Sequence, residues 1–253
     1  MSTKPRNLYV RVWGKGEAAV LVHGSNTANP ESTWLQQRDL AERYKLVIPD
    51  RRGYGASAPI EQKGFEDNIQ DILTVLGTGA HLVGSSYGGV IALLVAARRP
   101  EVVRSLTIIE PPAFEIARGH LVVEEFIERI CPLYAAVPQI TPEDFIFGFV
   151  QALGGQLRKP IQLSPERRQS IIATMTEPPP WEAEIPVGTL AATRFPKLVV
   201  SGGWHPVFET IADLLARRVG MERAVIQGAG HEVQELGRPF NERLEALWKV
   251  SST

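Results

Sequence analysis

The chain has 253 residues, 44% of them hydrophobic and 22% charged, with a formal net charge of −1. That is an ordinary globular composition, with room for one large domain or two small ones, and near-neutrality supplies no global field for nucleic acid or an anionic membrane. The single cysteine, Cys131, excludes an intrachain disulfide and a thiolate metal cluster.

No charged-then-apolar leader pattern opens the sequence. The longest apolar run, residues 90–97, is far shorter than the roughly 20 residues that cross a bilayer. A soluble, cytoplasmic protein is expected. In chain order, strands are expected at 8–12, 18–22, 46–49, 81–83, 105–109, 197–201 and 224–226, several of them apolar throughout. Helices are expected at 32–43, 65–76, 89–99, 207–219 and 238–250. This alternation predicts an α/β fold, with a mostly parallel central sheet and flanking helices.

From Pro111 to Pro196 the alternation stops, and the sequence is helical and punctuated by proline. Amphipathic helices are expected at 122–129, 143–153 and 164–176, the last opened by Ser164 as N-cap before Pro165. Glu177-Pro178-Pro179-Pro180-Trp181 cannot continue a helix and reads as a rigid connector. The expected organisation is a core of residues 1–110 and 197–253, with 111–196 an inserted helical cap over the strand ends. The arginine pairs Arg51-Arg52, Arg98-Arg99 and Arg217-Arg218 are scattered, and solvated faces are their expected place.

Three motifs carry chemistry. Gly84-Ser85-Ser86-Tyr87-Gly88, between a strand and a helix, matches the G-x-S-x-G elbow that lifts a serine nucleophile, here Ser86, to a sheet edge. The positive end of the helix starting at Tyr87 favours an oxyanion there. His23-Gly24-Ser25 comes after another strand, so the backbone N–H groups of Ser25 and Tyr87 form a candidate two-donor oxyanion hole. His23 itself reads as a buried structural histidine. Gly228-Ala229-Gly230-His231 comes after the last strand and brings His231 to the same edge, as the base a serine hydroxyl needs. His81, His120 and His205 lack such a setting and read as surface or packing residues.

With Asp50-Arg51-Arg52-Gly53-Tyr54-Gly55, these motifs resemble the α/β-hydrolase superfamily over almost the whole chain. The resemblance implies the α/β-hydrolase fold and a catalytic acid after the strand at 197–201. The residues in that place are Gly202-Gly203-Trp204-His205-Pro206, without a carboxylate, and Glu209 and Asp213 fall within the next helix. Some members of the superfamily place the acid after the strand that precedes the cap. Here that strand ends in Glu110, a charge costly to bury unless paired. The expected triad is Ser86, Glu110 and His231, with Asp50, Arg51 and Arg52 structural.

The resemblance implies a serine hydrolase of the esterase or lactonase kind, acting through an acyl-enzyme, with no cofactor and no metal. A serine nucleophile argues against epoxide-hydrolase and dehalogenase chemistry, which need a carboxylate. Open alternatives are C–C bond hydrolysis, perhydrolysis or a lyase on the same machinery, and a non-catalytic small-ligand-binding protein. The expected partner is a small hydrophobic molecule, with Phe147 and Trp181 of the aromatic-rich cap as its contacts. Those aromatics serve equally well as the cap's own core. Neither nucleic acid nor membrane is expected, and homo-oligomerisation is left open.

Overall fold

The apolar runs at the centre of the sheet become strands because each finds cover on both sides. The computed structural model describes residues 8–59 and 64–251. Strands β1 (Val10–Trp13), β2 (Glu17–Val22), β3 (Tyr44–Pro49), β4 (Ala80–Ser85), β5 (Val103–Ile109), β6 (Lys197–Ser201) and β7 (Glu222–Val225) form one sheet in the order β1-β3-β2-β4-β5-β6-β7. Only the β1–β3 pairing is antiparallel. Every residue of β4 and β6 is buried.

Successive residues of a strand face opposite sides, and β2 divides accordingly. Val20 and Val22 join the core under α1 (Phe65–Leu76), α2 (Tyr87–Arg98) and α7 (Pro206–Val219). Ala19 and Leu21 join the opposite core, with Trp34 and with Trp248 of α8 (Arg238–Ser251).

The helix expected at 32–43 is present but wound as a 3₁₀-helix, Ser32–Glu42. Its buried residues are Trp34, Gln37 and Leu40, a spacing of three that matches three residues per turn. Between β5 and β6 run α3 (Leu121–Ala135), α4 (Pro142–Ala152), α5 (Pro165–Met175) and the short α6 (Val187–Ala192). Ser164 caps α5 by accepting the Arg167 N–H. Helix α3 outruns the expected 122–129 and continues through Pro132, since Leu133 and Tyr134 beyond it still pack on apolar neighbours.

This strand order positions the site. β2 and β4 are neighbours in the sheet but are separated in the chain by β3, which lies on the far side of β2. Chain connections leave the two strands in opposite directions, which opens a crevice at their carboxyl ends. Helix α2 closes tightly on that end. A β-carbon on Gly88 would lie 2.3 Å from the Val22 carbonyl oxygen and 2.5 Å from that of His23. Gly88→Ala is therefore expected to lower the unfolding free energy by about 1–3 kcal/mol. Urea denaturation checks this, and an unchanged midpoint would show that α2 can move off β2 freely.

Candidate active site

Ser86 stands between β4 and α2 at φ 52° and ψ −125°, a backbone conformation that non-glycine residues rarely adopt. The turn is pinned on both sides. Its N–H donates to the Ile109 carbonyl at 2.8 Å, and its own carbonyl accepts the Gly89 N–H at 2.8 Å. Both Ser85 and Ser86 border a cavity, but Ser85 is buried, with its hydroxyl facing Gln234, whereas Ser86 is half-exposed.

Glu110 closes β5, also at positive φ (45°), and its N–H donates to the Val200 carbonyl at 3.0 Å. Its side chain is fully buried. Oε1 accepts the Gly202 N–H at 2.7 Å, and Oε2 accepts the Trp204 indole N–H at 3.1 Å. His231 Nδ1 lies 3.5 Å from the same Oε2. That is within ion-pair reach but long for a hydrogen bond, and Nδ1 is buried without a hydrogen-bond partner among the described residues. Phe208 packs on the imidazole, with ring centroids 4.8 Å apart. Trp204 thus stands in the loop where the superfamily's usual acid would lie, and donates to the carboxylate that β5 supplies. Glu209 and Asp213 both pair with Arg223, and Glu209 also accepts the Gly203 N–H at 3.0 Å.

Of the other histidines, His81 is buried at the start of β4, where burial pushes its pKa down to about 4. His120 is exposed. His205 caps α7 by accepting the Val207 N–H at 3.3 Å, and burial lowers its pKa. His23 is buried, and its Nε2 accepts the Arg51 N–H at 2.9 Å. Nδ1 then carries the proton and donates to the Gly24 carbonyl at 2.7 Å. This holds the loop that carries Ser25 against the elbow, where a β-carbon on Gly24 would lie 2.8 Å from that of Ser86. Tyr87 opens α2, so its N–H belongs to the first turn, whose amides have no partner inside the helix.

Arg51 departs from the expected solvated face. It is 2% exposed and forms a buried ion pair with Glu177, which also accepts the Ser25 hydroxyl. Burial is the largest single influence and would lower the Arg51 pKa, but the charge and hydrogen bond of Glu177 together with Tyr54 and Tyr87 outweigh it, and the pKa sits above its ordinary value. A buried charge needs a partner, and the partner lies in the segment that reads as a mere connector. Arg52, only half-buried, pairs with Asp71.

Ser86, Ser25, Tyr87 and His231 line one cavity of about 450 Å³. Phe114, Phe126, Ile130 and Ile146 form its buried apolar wall, while the exposed Asn29, Glu232 and Glu235 mark its mouth. From α4 and its C-terminus the lining residues are Ile146, Phe149, Val150 and Leu153, an i, i+3, i+4, i+7 stripe. Phe147 is off that stripe and stacks under Lys159 instead. Trp181 packs against Phe114 and Tyr134, outside the lining. Neither aromatic expected to contact the substrate therefore lines the cavity, and helical phase was the signal for the α4 residues. Among the described residues no group of three His, Cys, Asp or Glu side chains is placed to hold a metal, and no helix is long and apolar enough to cross a membrane.

Comparison with known proteins finds a match to the model of the alpha/beta hydrolase family over residues 19–243. The chain is 30% identical over 132 residues to pimeloyl-[acyl-carrier protein] methyl ester esterase of Aliivibrio fischeri (strain MJ11), covering 49% of this chain and 50% of that protein. It is 32% identical over 102 residues to 2-hydroxymuconate semialdehyde hydrolase of Pseudomonas putida, covering 38% of this chain and 36% of the relative. The chain thus spans about half the length, or less, of these curated relatives. Among solved structures, a hydrolase from Pseudomonas aeruginosa PA01 superposes with a TM-score of 0.72 at 20% identity, over 95% of this chain and 93% of that one, a likeness of fold.

Trp204→Phe keeps an aromatic ring but removes the N–H that holds the Glu110 carboxylate. A hydrogen bond to a charged group contributes about 1.5–3 kcal/mol. With part of that needed to orient Glu110, the rate of fluorophosphonate addition at Ser86 is expected to fall about tenfold while the fold persists, and an unchanged rate would show that the indole only packs.

Proposed function

We propose an activity from one premise: the chain belongs to the alpha/beta hydrolase family, whose model spans residues 19–243. In this reading the protein is a serine hydrolase that cleaves a carboxylic ester or lactone through an acyl-enzyme. The observation that carries it is the meeting of a strained serine, Ser86, with His231 on one cavity, while the buried Glu110 carboxylate faces the inner ring nitrogen at 3.5 Å.

Ser86 Oγ attacks the acyl carbon and its proton passes to the imidazole of His231. The carbonyl oxygen becomes an oxyanion and draws on the backbone N–H groups of Ser25 and Tyr87. When the intermediate collapses, the alkoxide leaves with the proton from His231 and the acyl group stays on Ser86. Water then attacks the acyl carbon, giving its proton to His231, and Ser86 is released with its hydroxyl restored. Glu110 holds the imidazole in the tautomer whose outer nitrogen is free to take the proton, and stabilises the imidazolium. The helices between β5 and β6 act as a cap, and their apolar wall favours hydrophobic acyl or ring-bearing substrates.

A fluorophosphonate probe is expected to add once per chain, on the peptide containing Ser86, and not to Ser86→Ala. Addition at Ser85, or at neither serine, would contradict the assignment. On a panel of esters, lactones and diketones, Phe149→Ala is expected to shift the preference for acyl size several-fold. Phe147→Ala, away from the cavity, is expected to leave the ranking as it is. A flat ranking in both variants would reduce the cap to a structural layer, and preferred turnover of diketones would move the chemistry to C–C bonds.

A further inference from the structure

The two residues assigned to the oxyanion hole share a feature the mechanism does not use. Each makes a side-chain hydrogen bond into the insertion, and the two acceptors are consecutive residues. The Ser25 hydroxyl donates to Glu177 Oε2, and the Tyr87 phenol donates to the Pro178 carbonyl at 3.0 Å. Next to Ser25, the Asn26 N–H donates to Thr174 Oγ1 at 2.8 Å, so the same short stretch of insertion holds the loop a second time. From the core side, Arg51 pairs with Glu177 Oε1 and donates to the Gly24 carbonyl at 3.2 Å and to the His23 carbonyl at 3.4 Å. Arg51 also lies over the Tyr87 ring, its guanidinium carbon 4.9 Å from the centroid.

We infer that the segment from Thr174 to Pro178 is a clamp that sets the oxyanion hole, with Glu177 and Arg51 as positioning residues that act through Ser25 and Tyr87. The inference rests on the serine-hydrolase reading above. A buried ion pair adds little to stability compared with an apolar pair of the same size. What this one supplies is geometry. Glu177 touches the side chain of one donor residue, and Arg51 touches both the loop before that donor and the ring of the other. Oxyanion donors act only within a narrow range of positions, and a displacement of about 1 Å is enough to cost about 100-fold in rate. A chain with its insertion undocked would keep Ser86 and His231 yet lose the hole.

Glu177→Ala leaves Arg51 buried and unpaired and risks unfolding the protein. The decisive variant is Ser25→Ala with Tyr87→Phe, which keeps both backbone donors, the Arg51–Glu177 pair and the Asn26–Thr174 bond but cuts the side-chain tethers of the two donor residues. Glu177→Gln is the companion variant. Hydrolysis of an aryl ester is measured per active site, counted by the end-point of fluorophosphonate labelling, together with inhibition by a trifluoromethyl ketone, which forms a tetrahedral oxyanion adduct. The expected result is a fall in kcat of about 10- to 100-fold with KM within about twofold, and a comparable loss of ketone affinity. The proposal is overturned if kcat per labelled site and ketone affinity stay near wild type in the double variant, even where the melting temperature falls, since the tethers would then serve stability alone. If the wild-type protein itself neither labels nor hydrolyses any ester, the hydrolase reading fails, and the clamp fails with it.

Discussion

A carboxylate with no exposure to solvent has to be held by hydrogen bonds or by a counter-charge, or its burial would oppose folding. Much of the arrangement at the carboxyl edge of the sheet comes from satisfying Glu110. β6 must lie beside β5 so that the Gly202 N–H reaches Oε1, and the loop after β6 must turn the Trp204 indole back to Oε2. The chain after β7 must then return to place His231 Nδ1 opposite the same oxygen. Glu110 adopts a left-handed backbone to meet these donors, a local cost carried by the surrounding strands. In the proposed mechanism, the group that is hardest to bury is also the one that orients the base.

A buried charge pair, Arg51–Glu177, sits on the other side of the elbow from Glu110 and His231. Arg51 comes just after β3 and Glu177 just after α5, so the pair fastens the insertion to the sheet beside Ser25. The two pairs flank Ser86 from opposite directions, one reaching the base and the other the oxyanion donors. Between them lies an apolar cavity whose wall comes largely from the insertion. The insertion therefore shapes the cavity and also touches the two residues proposed to hold the oxyanion.

The features legible in the sequence are local ones. The bounds of α1 and β6 agree with the expected 65–76 and 197–201, because each is a periodic or apolar run with clear ends. The serine elbow is a contiguous pattern, and Glu110 stands out as a charge closing an apolar strand. The features that escape a sequence reading depend on contacts between distant residues. Nothing local tells which of Arg51 and Arg52 meets a carboxylate 126 positions away. Nor does the Glu177-Pro178 stretch signal that both of its residues accept hydrogen bonds from the core. Phe147 and Phe149 are two residues apart on one helix, so only one of them can face the cavity, and α4's apolar stripe selects Phe149. In the sequence Trp204 marks only the absence of a carboxylate, since an indole's role as a donor depends on where the acid has gone.

The most direct measurement is kcat on a single ester for Glu110→Gln, Glu209→Gln and Asp213→Asn, with circular dichroism to confirm that each variant is folded. Replacing the orienting carboxylate of a serine triad by its amide lowers kcat by about 10⁴. A fall of that order is expected for Glu110→Gln, with changes well under tenfold for the two carboxylates that pair with Arg223. A folded Glu110→Gln protein that keeps its activity, with Glu209→Gln the disabled variant, would contradict the account.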